Sequence, residues 1–167
     1  LLRCVNNLAS LLRVQAEAKL KEAEPLMCES LEAKRRLLGA RHPETLVGIS
    51  QLGLLEQAKR KPDQAEAHFR EALQGRLEVL GRRHPQTLDA IGNLAELLRE
   101  RGRLGAALHT LGNAVHIAQE TLGEKHRVTI ALQDKQDRIE AELEKEAHEV
   151  HDSDDDILDE PVAEAKT

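Results

Sequence analysis

The chain has 167 residues, which suits one compact domain or about three to four repeats of roughly 40 residues. Phe69 is its one aromatic residue, so a core must be built from Leu, Ala, Ile and Val, the mix of packed helices. The net charge of −6 is uneven: residues 1–126 carry 19 Lys+Arg against 16 Asp+Glu, and residues 127–167 carry 5 against 14. A C-terminal region so acidic argues against nucleic acid as its partner. No stretch approaches the ~18 apolar residues of a membrane span. Cys4 and Cys28 both fall in helical patterns, where two thiols are expected rather than a disulfide, and a cytoplasmic location fits. The chain opens at Leu1 inside a periodic segment and reads as a fragment of a longer protein.

Three stretches repeat one design with a period of 42 residues, marked by His42, His84 and His126 and by Leu38-Gly39, Leu80-Gly81 and Leu122-Gly123. Such a period signals stacked supersecondary units. The first unit, 1–41, is truncated at its front. It has two more residues before its second helix than the third unit has, so its turn, expected near Ala16-Glu17-Ala18, must differ locally. The second unit, 42–83, opens at His42-Pro43-Glu44-Thr45, where Pro suits the first helical position and Glu44 complements the dipole. Leu46, Ile49, Leu52, Gly53 and Leu55 follow at helical spacing, and Lys61-Pro62-Asp63 interrupts them as a turn would. A second helix then carries Ala65, Phe69, Ala72, Leu73, Leu77 and Leu80 and closes at Gly81.

The third unit, 84–126, places Leu88, Ile91, Leu94, Ala95, Leu97 and Leu98 on its first helix, turns at Arg101-Gly102-Arg103, and runs a second helix from Ala107 to Leu122. Small residues recur in phase: Ala9, Gly53 and Ala95 on first helices, Ala23, Ala65 and Ala107 on second helices. They let paired helix axes approach closely. Residues 127–150 form a capping helix with a narrow apolar stripe of Ile130, Ile139, Leu143 and Val150, and residues 151–167 form an acidic, disordered tail.

Val5-Asn6-Asn7-Leu8-Ala9, Glu22-Ala23-Glu24-Pro25-Leu26 and the joint Leu38-Gly39 to His42-Pro43 and Thr45-Leu46 resemble the 42-residue tetratricopeptide repeats of the kinesin light chain type, over roughly residues 1–140. The resemblance implies an all-α, right-handed α-solenoid of about three antiparallel helix pairs plus the C-terminal capping helix. It also implies a concave groove that binds extended peptides. The groove positions it points to are Arg3, Asn7, Gln51, Asn93 and Lys135, whose amides suit a peptide backbone and whose charges suit an acidic ligand. Two places where the family usually has an aromatic hold Leu12, Glu56 and Leu98, and Met27, Phe69 and Leu111. Glu56 is the anomaly among them.

The resemblance makes the chain a protein-interaction scaffold whose partner is a protein or peptide, with no nucleic acid, membrane or cofactor. A structural or self-associating spacer with an unused groove is the alternative. Kinesin light chain grooves accept acidic peptides around an apolar anchor, so Ile157-Leu158 among the acidic residues of the tail is similar to a degenerate internal ligand. Chemistry beyond binding is not visible. The three repeat histidines lie one repeat apart and cannot converge on one ion, and His109 and His116 lie about 10 Å apart along a helix. His148 and His151 form too small a cluster for a metal. Asp152-Ser153-Asp154 starts like a calcium loop but has Ile157 and Ala163 where Gly and Glu are needed. No catalytic motif appears, and an enzyme is not expected.

Overall fold

The computed structural model describes residues 2–155, with side chains for Gln15 and for residues 18–147. The described residues form seven helices: α1 (Leu2–Leu38), α2 (Pro43–Ala58), α3 (Pro62–Val79), α4 (Pro85–Glu100), α5 (Leu104–Leu111), α6 (Ala114–Leu122) and α7 (Arg127–Asp155). There is no strand among the described residues, and the fold is an all-α solenoid.

The joint between units keeps the same glycine stop and histidine start each time. Gly39, Gly81 and Gly123 end their helices at φ of +93°, +79° and +89°, a region where a side chain would be strained. The next helix then starts on a histidine. Nδ1 of His42, His84 and His126 accepts a hydrogen bond from the N–H two residues on, at 3.2 Å in each case. Each repeat histidine is therefore an N-cap, which gives the three a shared physical reason to stand where they do. Pro43 and Pro85 fill the first helical position, where the lost N–H is not missed. At the first joint alone, Thr45, fully buried, donates from Oγ1 to the Gly39 carbonyl at 2.8 Å and ties the new helix back to the old one; the equivalent Thr87 and Thr129 hydroxyls are buried without a partner among the described residues.

The second hairpin is antiparallel and tight. A Cβ added to Gly53 would stand 2.6 Å from Cε1 of Phe69, and one added to Gly75 would stand 2.3 Å from Cδ2 of Leu46. The small residues thus mark where α2 and α3 approach. The core is divided along the array. Leu31, Leu46, Ile49, Leu52, Leu55 and Ala72 form one cluster, and a second runs from Ala65 and Phe69 through α4, α5 and α6 to Val128, Leu132 and Ile139 of α7. Packing proceeds from each helix to its neighbours, as in a quasi-one-dimensional array.

Four expectations need correction. The turn near Ala16-Glu17-Ala18 is absent, because α1 runs unbroken for 37 residues. The later turns depend on positive φ, at Arg60 (+57°) and Gly102 (+69°), whereas the stretch around Ala16 to Lys21 offers strong helix formers with no Gly or Pro. The second helix of the third unit, expected whole from Ala107 to Leu122, breaks at Gly112-Asn113, where Gly112 adopts φ +38° and donates to the Leu108 carbonyl. In α7 the stripe is misplaced by one member: Ile130 is 48% exposed, while Val128, Leu132 and Ile139 are buried at helical spacing. α7 also continues to Asp155 rather than ending at residue 150, and the expected disordered tail lies otherwise outside the described residues.

Candidate functional site

A cleft of about 490 Å³ opens where α2, α3, α4 and α7 meet, lined by Val47, Ser50, Arg76, Asp89, Asn93 and Arg127 among others. Each contributor is placed by its joint. The His84 cap starts α4 so that Asp89 and Asn93, four residues apart, share one face. The His126 cap does the same for Arg127 and Ala131 of α7. Arg127 takes the place of the proline found in the two earlier joints and reaches Asp89 at 3.9 Å.

Arg76 is the unusual member. It comes from α3, on the stripe of Ala65, Phe69 and Ala72, and is only 6% exposed. Its Nε has no hydrogen-bond partner among the described residues. Burial lowers its pKa from the ordinary arginine value, and the Asp89 carboxylate pulls the other way. Arg76 also lines the cleft, so its guanidinium charge makes this part of the cleft a place for an anionic oxygen.

Of the groove residues expected from sequence, the structure brings Asn93 into this cleft, and sets Lys135 close by. The Lys135 Nζ would stand 3.2 Å from a Cβ added to Gly92. Burial lowers the Lys135 pKa, with Glu96 and Asp89 acting against it and Arg138 with it. Gln51 is exposed and lines a separate, smaller cleft between α1 and α2. Arg3 and Asn7 lie on the N-terminal half of α1, and their side chains are outside the described residues. Sequence reasoning missed Arg76, because it sought groove residues on first helices. The available signal was a charge four residues after Ala72 on an otherwise apolar stripe.

Among the described residues no group of three His, Cys, Asp or Glu side chains could hold a metal ion. Among them, too, no helix is long and apolar enough to cross a membrane.

The sequence matches the model of the tetratricopeptide repeat over residues 1–76 and 46–120. No curated protein is matched by the chain. Among solved structures, it is similar to the nearly identical tetratricopeptide-like repeats of a Podosopora anserina protein designated a kinesin light chain. Identity is 24% with a TM-score of 0.64, over 83% of this chain and 66% of that one. A single-substitution variant of the same protein gives 22% identity and a TM-score of 0.66 over the same shares. BtubC (BKLC) from P. vanneervenii gives 15% identity and a TM-score of 0.62, over 90% of this chain and 63% of that one. The chain therefore spans about two thirds of these structures, and the likeness is one of fold. This fold is in general a protein–protein interaction scaffold. The paired helices, the repeated joint and the family match agree, and the chain belongs to the tetratricopeptide repeat family, with the fold of kinesin-light-chain-like repeats.

Proposed function

We propose that the cleft between α2, α4 and α7 binds an extended acidic peptide, with a carboxylate of the ligand seated on Arg76. The nearly buried Arg76 guanidinium in the wall of an open cleft carries this reading. Asn93 offers both a donor and an acceptor to a peptide backbone, and Val47 offers apolar contact beside it. Asp89 neutralises part of the positive charge when the cleft is empty and pairs with Arg127, so a ligand carboxylate would compete for Arg76 and Arg127 together. Lys135 adds to the field from α7, while Gln51 would extend the track towards α1.

The acidic tail around Ile157 and Leu158 is the ligand this chain carries itself. In this reading the last turns of α7, exposed from Glu144 to Ala147, unwind so that the tail reaches back to the cleft until an external partner of like chemistry displaces it. The test uses a labelled peptide of residues 152–160 and the protein lacking residues 151–167. Fluorescence anisotropy should show saturable binding that weakens with salt. Arg76→Gln should reduce affinity by about tenfold or more, the equivalent of ~1.4 kcal/mol or more. Restoring the tail in cis should weaken binding of the labelled peptide. Equal affinity for the protein and its Arg76→Gln variant, at low and high salt, would sink the proposal.

A further inference from the structure

One face of α1 stands open that is closed in both later hairpins. On α3, Ala65, Phe69, Ala72 and Arg76 are 0, 2, 0 and 6% exposed, and their equivalents on α5 and α6, Ala107, Leu111, Ala114 and Ala118, are 0, 1, 4 and 0% exposed. The same positions on α1 are Ala23, Met27, Ser30 and Lys34; Ser30 is exposed and the other three are only partly buried. Leu26 beside them is 68% exposed. A small cleft along this face is lined by Leu26, Met27, Ser30 and Lys34 of α1 and by Gly48 and Gln51 of α2.

In the second hairpin that face is covered by the first helix, which returns through the positive-φ turn at Arg60. In the first unit the covering segment would be residues 2–17. They continue α1 in line instead, and Ala18, at the place of Arg60 and Gly102, is helical. α2 ends beside Leu20 and Lys21, so residues 2–17 run on past the second hairpin for about 24 Å. Their sequence nevertheless repeats the covering stripe: Leu8, Ala9 and Leu12 stand where Leu94, Ala95 and Leu98 stand in α4. The face and its cover belong to one continuous rod, which cannot fold onto itself.

We propose that a second copy of this chain supplies the cover, the two α1 helices lying antiparallel and exchanging their N-terminal halves. Gly53 lies against Phe69, so Ala9 of one copy meets Met27 of the other, and the twofold axis passes near residue 18. The interface is isologous and closes after two copies. The exchange also sets residues 3 and 7 of one copy beside Gln51 of the other, so the α1 end of the groove is built from both chains. The exchange stands on the open face and the unbroken helix and does not depend on which ligand the cleft takes.

The two native cysteines test it. Residues 4 and 28 of one straight α1 are about 36 Å apart, whereas in the exchanged pair residue 4 of one copy lies one helical turn from residue 28 of the other. Isotopically light and heavy 167-residue chains are refolded together, treated with a short bismaleimide and digested. The expected result is a dimer by light scattering and a Cys4–Cys28 link joining light to heavy peptides. A monomer at every concentration, links confined to one label, or links between Cys28 residues alone would each overturn the exchange. Ala18→Gly combined with Leu20→Pro copies Gly102 and Pro62 at their equivalent positions. It should give a monomer of similar helical content whose Cys4–Cys28 link lies within one chain. Persistence of the dimer in that variant would also overturn the proposal.

Discussion

Glu66 on α3 accepts a hydrogen bond from Arg101 at 2.7 Å, and 42 residues earlier Glu24 on α1 meets Lys59 in the same relation. Each pair joins a second helix to the turn of the following hairpin, so the repeat in sequence is also a repeat in the electrostatics between units. Glu66 has Arg70 and Arg103 on it as well, and is only 14% exposed. Its hydrogen bond to Arg70, with the nearby arginine charges, lowers its pKa below the ordinary value. A depressed carboxyl pKa stabilises the fold above the unfolded value and loses that stabilisation as pH falls through the folded value. Glu66→Gln should therefore cost about 1 kcal/mol at neutral pH, and the gap to the wild type should close as pH falls below the ordinary glutamate value and through the lowered one. Urea denaturation across that range measures it; a gap that stays constant with pH would contradict the account.

The caps give a second prediction. His84 supplies Nδ1 to the Gln86 N–H, and Gly81 and Pro85 fix the chain around it. His84→Ala leaves that N–H without its acceptor and should cost about 1 kcal/mol, while His84→Asn should recover most of it, since Asn caps well. Thermal unfolding of the two variants decides between a cap and a histidine kept for other reasons.

How far the fold could be read from sequence differs between its parts. The joint was legible because glycine, proline and a capping residue must each occupy one position, whatever surrounds them. The small residues at 53 and 65 were legible because they recur in phase. The missing turn in α1 was not, since a turn was expected from the period while residues 16–21 hold only helix formers. The break at Gly112-Asn113 had a local signal in the glycine, which the apolar pattern on either side overrode. Arg76 was hidden for a different reason. Its charge interrupts the apolar stripe of α3, but its place in the cleft wall is a tertiary relation set by α4 and α7, which that local signal does not give.

Packing between the hairpin helices can be tested by exchange within the chain. The pair Gly53 and Phe69 in the second hairpin is Ala95 and Leu111 in the third, a small residue and a large one traded for two of middling size. Gly53→Ala alone drives a methyl to within 2.6 Å of the Phe69 ring and should destabilise by about 1–3 kcal/mol. Adding Phe69→Leu, which copies the third hairpin, should recover part of the loss. A double variant no better than the sum of its singles would show that the two positions are not coupled.

Glu56 is the last test, and its sign runs against intuition. It sits where the third unit has Leu98, is 6% exposed, and its Oε2 has no hydrogen bond among the described residues. Lys59 and Lys61 approach its oxygens at 3.5 Å, within ion-pair range but too long for strong hydrogen bonds. Desolvating a carboxylate is expensive, and such distant partners offset little of it. Lys59 keeps Glu24, whose hydrogen bond raises the lysine pKa, so removing Glu56 does not strand that cation. Glu56→Leu should leave the protein as stable or more stable, by up to about 1–2 kcal/mol, whereas Glu56→Ala should destabilise it by leaving a cavity. Chemical denaturation of both variants at neutral pH separates the outcomes: a Leu variant weaker than the Ala variant would mean that the buried charge organises the turn after α2 rather than burdening it.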